Sequence, residues 1–159
     1  MKQILKCKRV GIDLDNTITE LMPTLVDMAK YYGKEVPSVD QIKDFNLSSV
    51  FGVSEQESKI YWQEREWFLI KNAEVSESRL SSILESFADH DTEIHFITNR
   101  PPRFYFETEK WLERNSIKHK SLQVFKGSKL NAIRDLDLDI MVDDKPDLFY
   151  EIQNKKNNH

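Results

Sequence analysis

Cysteine is nearly missing from this chain: Cys7 stands alone among 159 residues. A single thiol excludes an internal disulfide framework and suits a reducing cytoplasm. Long apolar runs are also missing, since none approaches the roughly 18 residues that a bilayer-spanning helix needs. The opening stretch, Met1 to Lys8, is too short and too charged to read as a secretory signal. The expected location is therefore the cytoplasm, with no membrane partner. An excess of positive charge is lacking too. A formal net charge of −4 offers no general attraction to nucleic acid, which is bound chiefly through its phosphates. Histidine is sparse, and His90, His95, His119 and His159 lack the paired spacing of zinc sites. No internal repeat is found.

What is present suits one domain with room for a modest insertion, at 39% hydrophobic and 31% charged residues. Arg9-Val10-Gly11-Ile12 is a short β-prone run that reads as a buried strand. Glu93 to Ile97, Ser121 to Phe125 and Leu138 to Val142 read as three more. Helical spacing falls between them, at Leu80, Ile83, Leu84 and Phe87, at Phe104, Thr108, Trp111 and Leu112, and after Gly127-Ser128-Lys129. Strands alternating with helices predict an α/β fold with a Rossmann-like parallel sheet. Between Glu20 and Glu74 only helices are predicted: one from Pro23 to a stop at Gly33, a short one over Ser38 to Phe45, and a long one from near Ser54 to Ile70. Residues 20–74 thus read as a small helical cap inserted into a core made of 1–19 and 75–159. The polar tail from Asn154 to His159 reads as frayed.

The polar residues gather at element ends. Asp13 and Asp15 follow the first strand, two apart, so that on an extended backbone both point the same way. Close carboxylates repel, and a raised pKa or a bound cation relieves them. Thr98 and Asn99 close the second strand with neutral donors. Lys129 opens a helix, where the dipole disfavours a cation unless an anion is near. Asp143-Asp144 follow the last strand. Each set has an ordinary explanation as turn, surface lysine or helix cap. Arg100 and Lys145 flank these residues and could meet an anionic substrate or simply be solvated. All the sets appearing in this order is harder to explain as accident.

The constellation resembles the haloacid dehalogenase-like superfamily of phosphotransferases. Its Asp-x-Asp-x-Thr motif is matched by Asp13, Asp15 and Thr17, its Thr or Ser motif by Thr98, its lysine by Lys129 and its acidic pair by Asp143-Asp144. Asn16 stands where glycine is often found. The insertion after the first motif, the Trp62 to Phe68 segment and Ile140 to Asp147 look like the 5′(3′)-deoxyribonucleotidase branch and its bacterial nucleotidase relatives. Those relatives usually continue through a helix into another strand. Here none is seen, so an expected edge strand is missing, dispensable or supplied by a partner, as in a homo-oligomer.

The resemblance implies a Mg²⁺-dependent phosphomonoester hydrolase, a 5′-nucleotidase on (deoxy)nucleoside monophosphates. Asp13 would attack phosphorus to form an aspartyl-phosphate, and Asp15 would carry the proton. Thr98, Asn99 and Lys129 would hold the phosphoryl oxygens. Mg²⁺ would be bound by Asp13, the Asp15 main-chain carbonyl and Asp143. Asp144 and Thr17 would stand behind these groups, Asp144 orienting Lys129 or a bound water. Trp62, Trp67 and Phe68 are the cap's candidates for substrate contact. Competing readings are a phosphatase on another small phosphomonoester or a nucleic-acid 3′-phosphate, and a non-catalytic phosphate-binding regulatory domain. Receiver-like modules place their acceptor on a later strand, which argues against the last.

Overall fold

Four strands form a parallel sheet: β1 (Arg9–Ile12), β2 (Glu93–Thr98), β3 (Ser121–Val124) and β4 (Ile140–Val142). The structure is a computed structural model that describes residues 7–42, 47–88, 90–148, 150 and 152. The order across the sheet is β3-β2-β1-β4, every pair parallel. The chain steps outward from β1 through β2 to β3, then crosses back to set β4 on the other side of β1. That reversal opens a crevice at the C-terminal ends of β1 and β4, the place where open α/β sheets bind ligands.

Inner position decides which strands are apolar on both faces. In β2, Ile94 through Thr98 are all buried, as a strand covered on both sides requires. Its His95 is a core residue whose Nδ1 lies 2.8 Å from the Ser121 hydroxyl on β3. In β1, Gly11 permits close approach: a Cβ there would collide with the Leu138 side chain and lie 2.7 Å from Met141 Sδ. The helices flanking the sheet are α4 (Leu80–Ala88), α5 (Tyr105–Arg114) and α6 (Leu130–Asp135). Phe104, predicted within α5, belongs to a preceding 3₁₀ turn over Pro102–Phe104.

β4 is shorter than predicted and lies at an edge, with Ile140 and Val142 about half exposed. Leu138 is still leaving α6, its N–H bonded to the Ile133 carbonyl. Asp139 ties back to the start of β1, its carboxylate accepting from the N–H groups of Lys8 at 2.7 Å and Arg9 at 2.9 Å. The fourth strand therefore begins at Ile140 rather than Leu138.

The chain divides into two compact units, 1–19 with 75–159, and 20–74. The ends of the second segment are joined by backbone bonds, Glu20 N–H to the Glu74 carbonyl and Ser76 N–H to the Ile18 carbonyl, each 2.9 Å. Residues 20–74 are helical: α1 (Met22–Tyr32), a 3₁₀ turn (Val39–Gln41), α2 (Leu47–Phe51) and α3 (Glu55–Asn72). Gly33 ends α1 in the left-handed conformation, φ 63°. Of the helix predicted over Ser38 to Phe45, the described residues 38–42 form that 3₁₀ turn at Val39–Gln41, and Lys43, Asp44 and Phe45 lie outside the described residues. So do the opening residues before Cys7 and the tail from Asn154. α3 starts with a capping box in which Ser54 accepts from Glu57 N–H and the Glu57 carboxylate accepts from Ser54 N–H. The unit's own core is Leu25, Met28, Ala29, Phe51 and Tyr61, with Trp62 packed against it. Asp27 accepts from the Tyr61 hydroxyl at 2.9 Å and from both the Nε and Nη2 of Arg65.

Candidate active site

Register decides what meets at the crevice. Ile12 pairs with Val142, and Asp13 N–H donates to the Val142 carbonyl at 2.9 Å. The pairing thus runs one residue past β1 and sets Asp13 beside the exit of β4, where Asp143 follows. Beyond Asp13 the chain wraps on one oxygen, the Leu14 carbonyl, which accepts from the N–H groups of Thr17, Ile18 and Thr19. This turn needs a positive φ at Asn16, 61°. Asn tolerates that conformation better than most residues, which accounts for its standing where glycine is common.

Lys129, the residue before α6, is buried and joins the two strand exits. Its ammonium donates to Asp13 Oδ1 at 2.5 Å and Asp143 Oδ2 at 2.6 Å. The anions expected from an unfavourably placed lysine are these two carboxylates. Asp143 Oδ1 accepts from Lys145 N–H at 2.9 Å. Among the described residues, Asp13 Oδ2 has a single long contact, from the Thr17 hydroxyl at 3.5 Å. Burial pushes the Asp13 carboxyl up to about 6; Lys129 opposes the rise, while Asp143 and Asp15 add to it.

Asp144 completes an acidic cluster: one oxygen from each of Asp13, Asp143 and Asp144 lies within 4.8 Å of the others. Both Asp144 oxygens are buried without a hydrogen-bond partner. They make no bond to Lys129, so the role of orienting that lysine falls to Asp13 and Asp143. Burial and then Asp143 raise the Asp144 pKa, opposed first by the Lys145 charge and then by the Asp144 main chain and the Asn16 side chain. Two of the three carboxylates share one ammonium, and among the described residues the oxygens of the third have no hydrogen-bond donor. A hard divalent cation with oxygen ligands fits that set.

Asp15 turns the other way. Its carboxylate is held by Arg100: Nε reaches Oδ1 at 3.2 Å and Oδ2 at 3.0 Å, and Nη2 reaches Oδ1 at 2.6 Å. The Arg100 side chain is 2% exposed, against 50% for Asp15. Neither sequence reading of Arg100, solvated charge or substrate contact, survives that burial. No sequence signal marked it, because the burial depends on α5 lying against it. Thr98 is buried at the end of β2 and accepts from Arg100 N–H at 3.4 Å. Asn99 is exposed at the same strand end.

No family model matches the chain. It is 26% identical over 145 residues to a protein of Halalkalibacterium halodurans named "Putative nucleotidase", covering 91% of this chain and 73% of that one. It is 28% identical over 148 residues to another of that name from Oceanobacillus iheyensis, covering 87% and 77%. A crystal structure of a hydrolase from Streptococcus pneumoniae TIGR4 shares the fold, with a TM-score of 0.53 at 16% identity over 86% of this chain and 81% of that one.

The remaining residues singled out from the sequence lie in the helical unit, residues 20–74. Trp62 is partly buried and edges onto Tyr61, ring centroids 5.3 Å apart. Trp67 and Phe68 are 48% and 44% exposed. Lys71 lies over the first ring and Arg65 over the second, at 4.6 and 4.8 Å. Among the described residues no helix is long and apolar enough to cross a membrane.

Proposed function

We propose that this chain is a phosphomonoester hydrolase acting through an aspartyl-phosphate, with nucleoside monophosphates as its substrates in the cytoplasm. The observation that carries the reading is the buried Lys129 ammonium seated between Asp13 and Asp143 at the strand crossover. A phosphate group brings two negative charges to a carboxylate that must attack it. That approach is feasible only where positive charge is already fixed and water is excluded.

Asp13 Oδ2, the oxygen free of Lys129, attacks phosphorus, and the bond from phosphorus to the leaving oxygen breaks. Asp15 gives its proton to that oxygen, releasing an alcohol. Asp15, now a carboxylate, takes a proton from water as the water oxygen bonds to phosphorus. The bond from phosphorus to Asp13 breaks, which returns inorganic phosphate, the Asp13 carboxylate and the protonated Asp15 that began the cycle. The Thr98 hydroxyl and Asn99 amide donate to phosphoryl oxygens, and Lys129 balances their charge. Mg²⁺ would be held by Asp13, Asp143 and the Asp15 main-chain carbonyl, with Asp144 accepting from metal-bound water and Thr17 steadying Asp13. When bound, the cation supplies charge neutralisation at the phosphoryl group.

Nucleotides are favoured by the names of the two bacterial relatives and by exposed rings at Trp67 and Phe68. The helical unit is read as a cap that selects substrate without joining the chemistry. Trp62, packed on the unit's core, is the weakest of the three candidates for base contact.

A phosphate-release screen over mononucleotides, sugar phosphates and an aryl phosphate, with and without Mg²⁺, tests the whole reading. Asp13→Asn is expected to release no phosphate, and full turnover by a folded variant would remove the nucleophile. Activity should vanish in excess chelator and return with Mg²⁺ but poorly with Ca²⁺, whose looser coordination disturbs in-line geometry. Trp67→Ala and Phe68→Ala should cost about 1–3 kcal/mol with nucleotides, the scale of base stacking on aromatics. The same variants should leave aryl phosphate turnover nearly unchanged; parallel losses would mean that the rings only hold the helical unit together.

A further inference from the structure

We infer that Arg100 is a positioning residue for this reaction, fixing the proton carrier Asp15 through its side chain and the phosphate donor Thr98 through its main chain. The inference rests on the hydrolase reading and adds to it a residue that touches neither substrate nor metal.

Among the described residues the guanidinium reaches the crevice through Asp15. It is 2% exposed, so it offers no face to an incoming phosphate. Its Nη1 donates to the Thr108 hydroxyl at 3.2 Å, and Thr108 is wholly buried on α5. The Trp111 ring lies 6.0 Å away on the same helix. The fork is therefore anchored from behind and presents Nε and Nη2 forward. Planar, fixed donors of this kind set the direction of a carboxylate as a single ammonium cannot.

The grip on Asp15 is uneven. Oδ1 receives two bonds, the shorter 2.6 Å, while Oδ2 receives one at 3.0 Å. Asp15 is half exposed, so the more lightly held Oδ2 is the oxygen left to exchange a proton with a leaving group or water. A free aspartate on this turn would sample several rotamers and lose the alignment that proton transfer requires.

The main chain of Arg100 does related work at Thr98. A hydroxyl has one hydrogen to donate and lone pairs to accept with. The Arg100 N–H, 3.4 Å from Thr98 Oγ1, occupies an acceptor direction and leaves the hydroxyl hydrogen free to point at a phosphoryl oxygen. Side-chain variants of Arg100 keep this N–H, so they leave Thr98 aside and report on the side chain's grip on Asp15 and its anchor at Thr108.

The test compares a nucleoside monophosphate, whose leaving oxygen needs a proton, with 2,4-dinitrophenyl phosphate, whose leaving oxygen does not. Arg100→Met should lower kcat and kcat/KM for the nucleotide by about a hundredfold, the lower end of general acid–base effects. For dinitrophenyl phosphate kcat should fall while kcat/KM stays unchanged, because only hydrolysis of the intermediate needs Asp15. Arg100→Lys should show the same split, since one ammonium cannot span both contacts. In an Asp15→Asn background the Arg100→Met change should cost nothing further. A fall in kcat/KM for both substrates, or additive losses in the double variant, would overturn the role by making Arg100 a phosphate ligand. An Arg100→Met protein with wild-type kinetics would overturn it equally. If Arg100→Met does not fold, Thr108→Val removes only the rear anchor and should show the same split at smaller amplitude; its absence there counts against the role. A wild-type protein releasing phosphate from no substrate would remove the hydrolase reading itself, whereas an active wild type with additive losses removes only the role of Arg100.

Discussion

Asp13 carries opposing electrostatic demands that can be read out without any substrate. Burial lifts its pKa from an ordinary 3.8 to about 6, against the pull of Lys129. The folded state therefore binds more protons than the unfolded state between those values. Stability should fall as pH rises through that window and level off above it. The loss is at most about 3 kcal/mol, the linkage value of such a shift. Chemical denaturation in excess chelator from pH 4 to pH 7 should show that decline in the wild type and a flatter profile in Asp13→Asn. A wild-type stability that rises across the window would mean that Lys129 outweighs burial. Asp15, only two residues away, has a different environment because its carboxylate is turned to Arg100. The carboxylates of one short motif thus take separate partners from packing, not from their identity.

Among the elements, β1 and β4 are the pair that matters most, since the crevice exists only while they stay in register. Gly11 lies between them opposite Met141, and a methyl group there meets both Leu138 and Met141. Gly11→Ala should destabilise by about 1–3 kcal/mol, the usual cost of overpacking. It should also lower kcat in the surviving folded fraction, because moving β4 separates Asp143 from Asp13. Thermal melts with kinetics corrected for folded fraction distinguish that from simple loss of protein. In the helical unit, Ser54→Ala removes half of the capping box that opens α3. A loss of about 1 kcal/mol is expected in denaturant melts, with no effect on hydrolysis of an aryl phosphate.

For the whole molecule, the joined ends of the insertion permit a direct experiment. Ile18 and Ser76 are hydrogen-bonded, and Thr19 bridges Val75. Replacing residues 20–74 by a short Gly-Ser linker therefore leaves the sheet's own connections unbroken. The shortened protein should keep its α/β circular dichroism and a cooperative melt. It should also hydrolyse an aryl phosphate while losing its preference for nucleotides. A chain that no longer folds would show that the helical unit is needed for stability.

Element types were legible in the sequence because local pattern dictates them: β-prone runs such as Val10 to Ile12 and Ile94 to Ile97, and helical spacing around Trp111. The candidate positions were legible too, since Asp13, Thr98, Lys129 and Asp143 each sit where an element begins or ends. Contact among Asp13, Lys129 and Asp143 was not. It depends on the crossover that sets β4 beside β1 and on the register that pairs Ile12 with Val142, both products of long-range packing. The late start of β4 came from Asp139 binding the main chain of Lys8 and Arg9, and the unpaired oxygens of Asp144 likewise have no local signature. Arg100 shows the limit most plainly. An arginine beside Pro101-Pro102 reads as solvated, and only α5, supplying Thr108 and Trp111 from farther along the chain, turns it into a buried anchor for Asp15, 85 residues away. Periodicity fixes what a segment becomes, whereas burial, pairing and pKa depend on which distant segment arrives beside it.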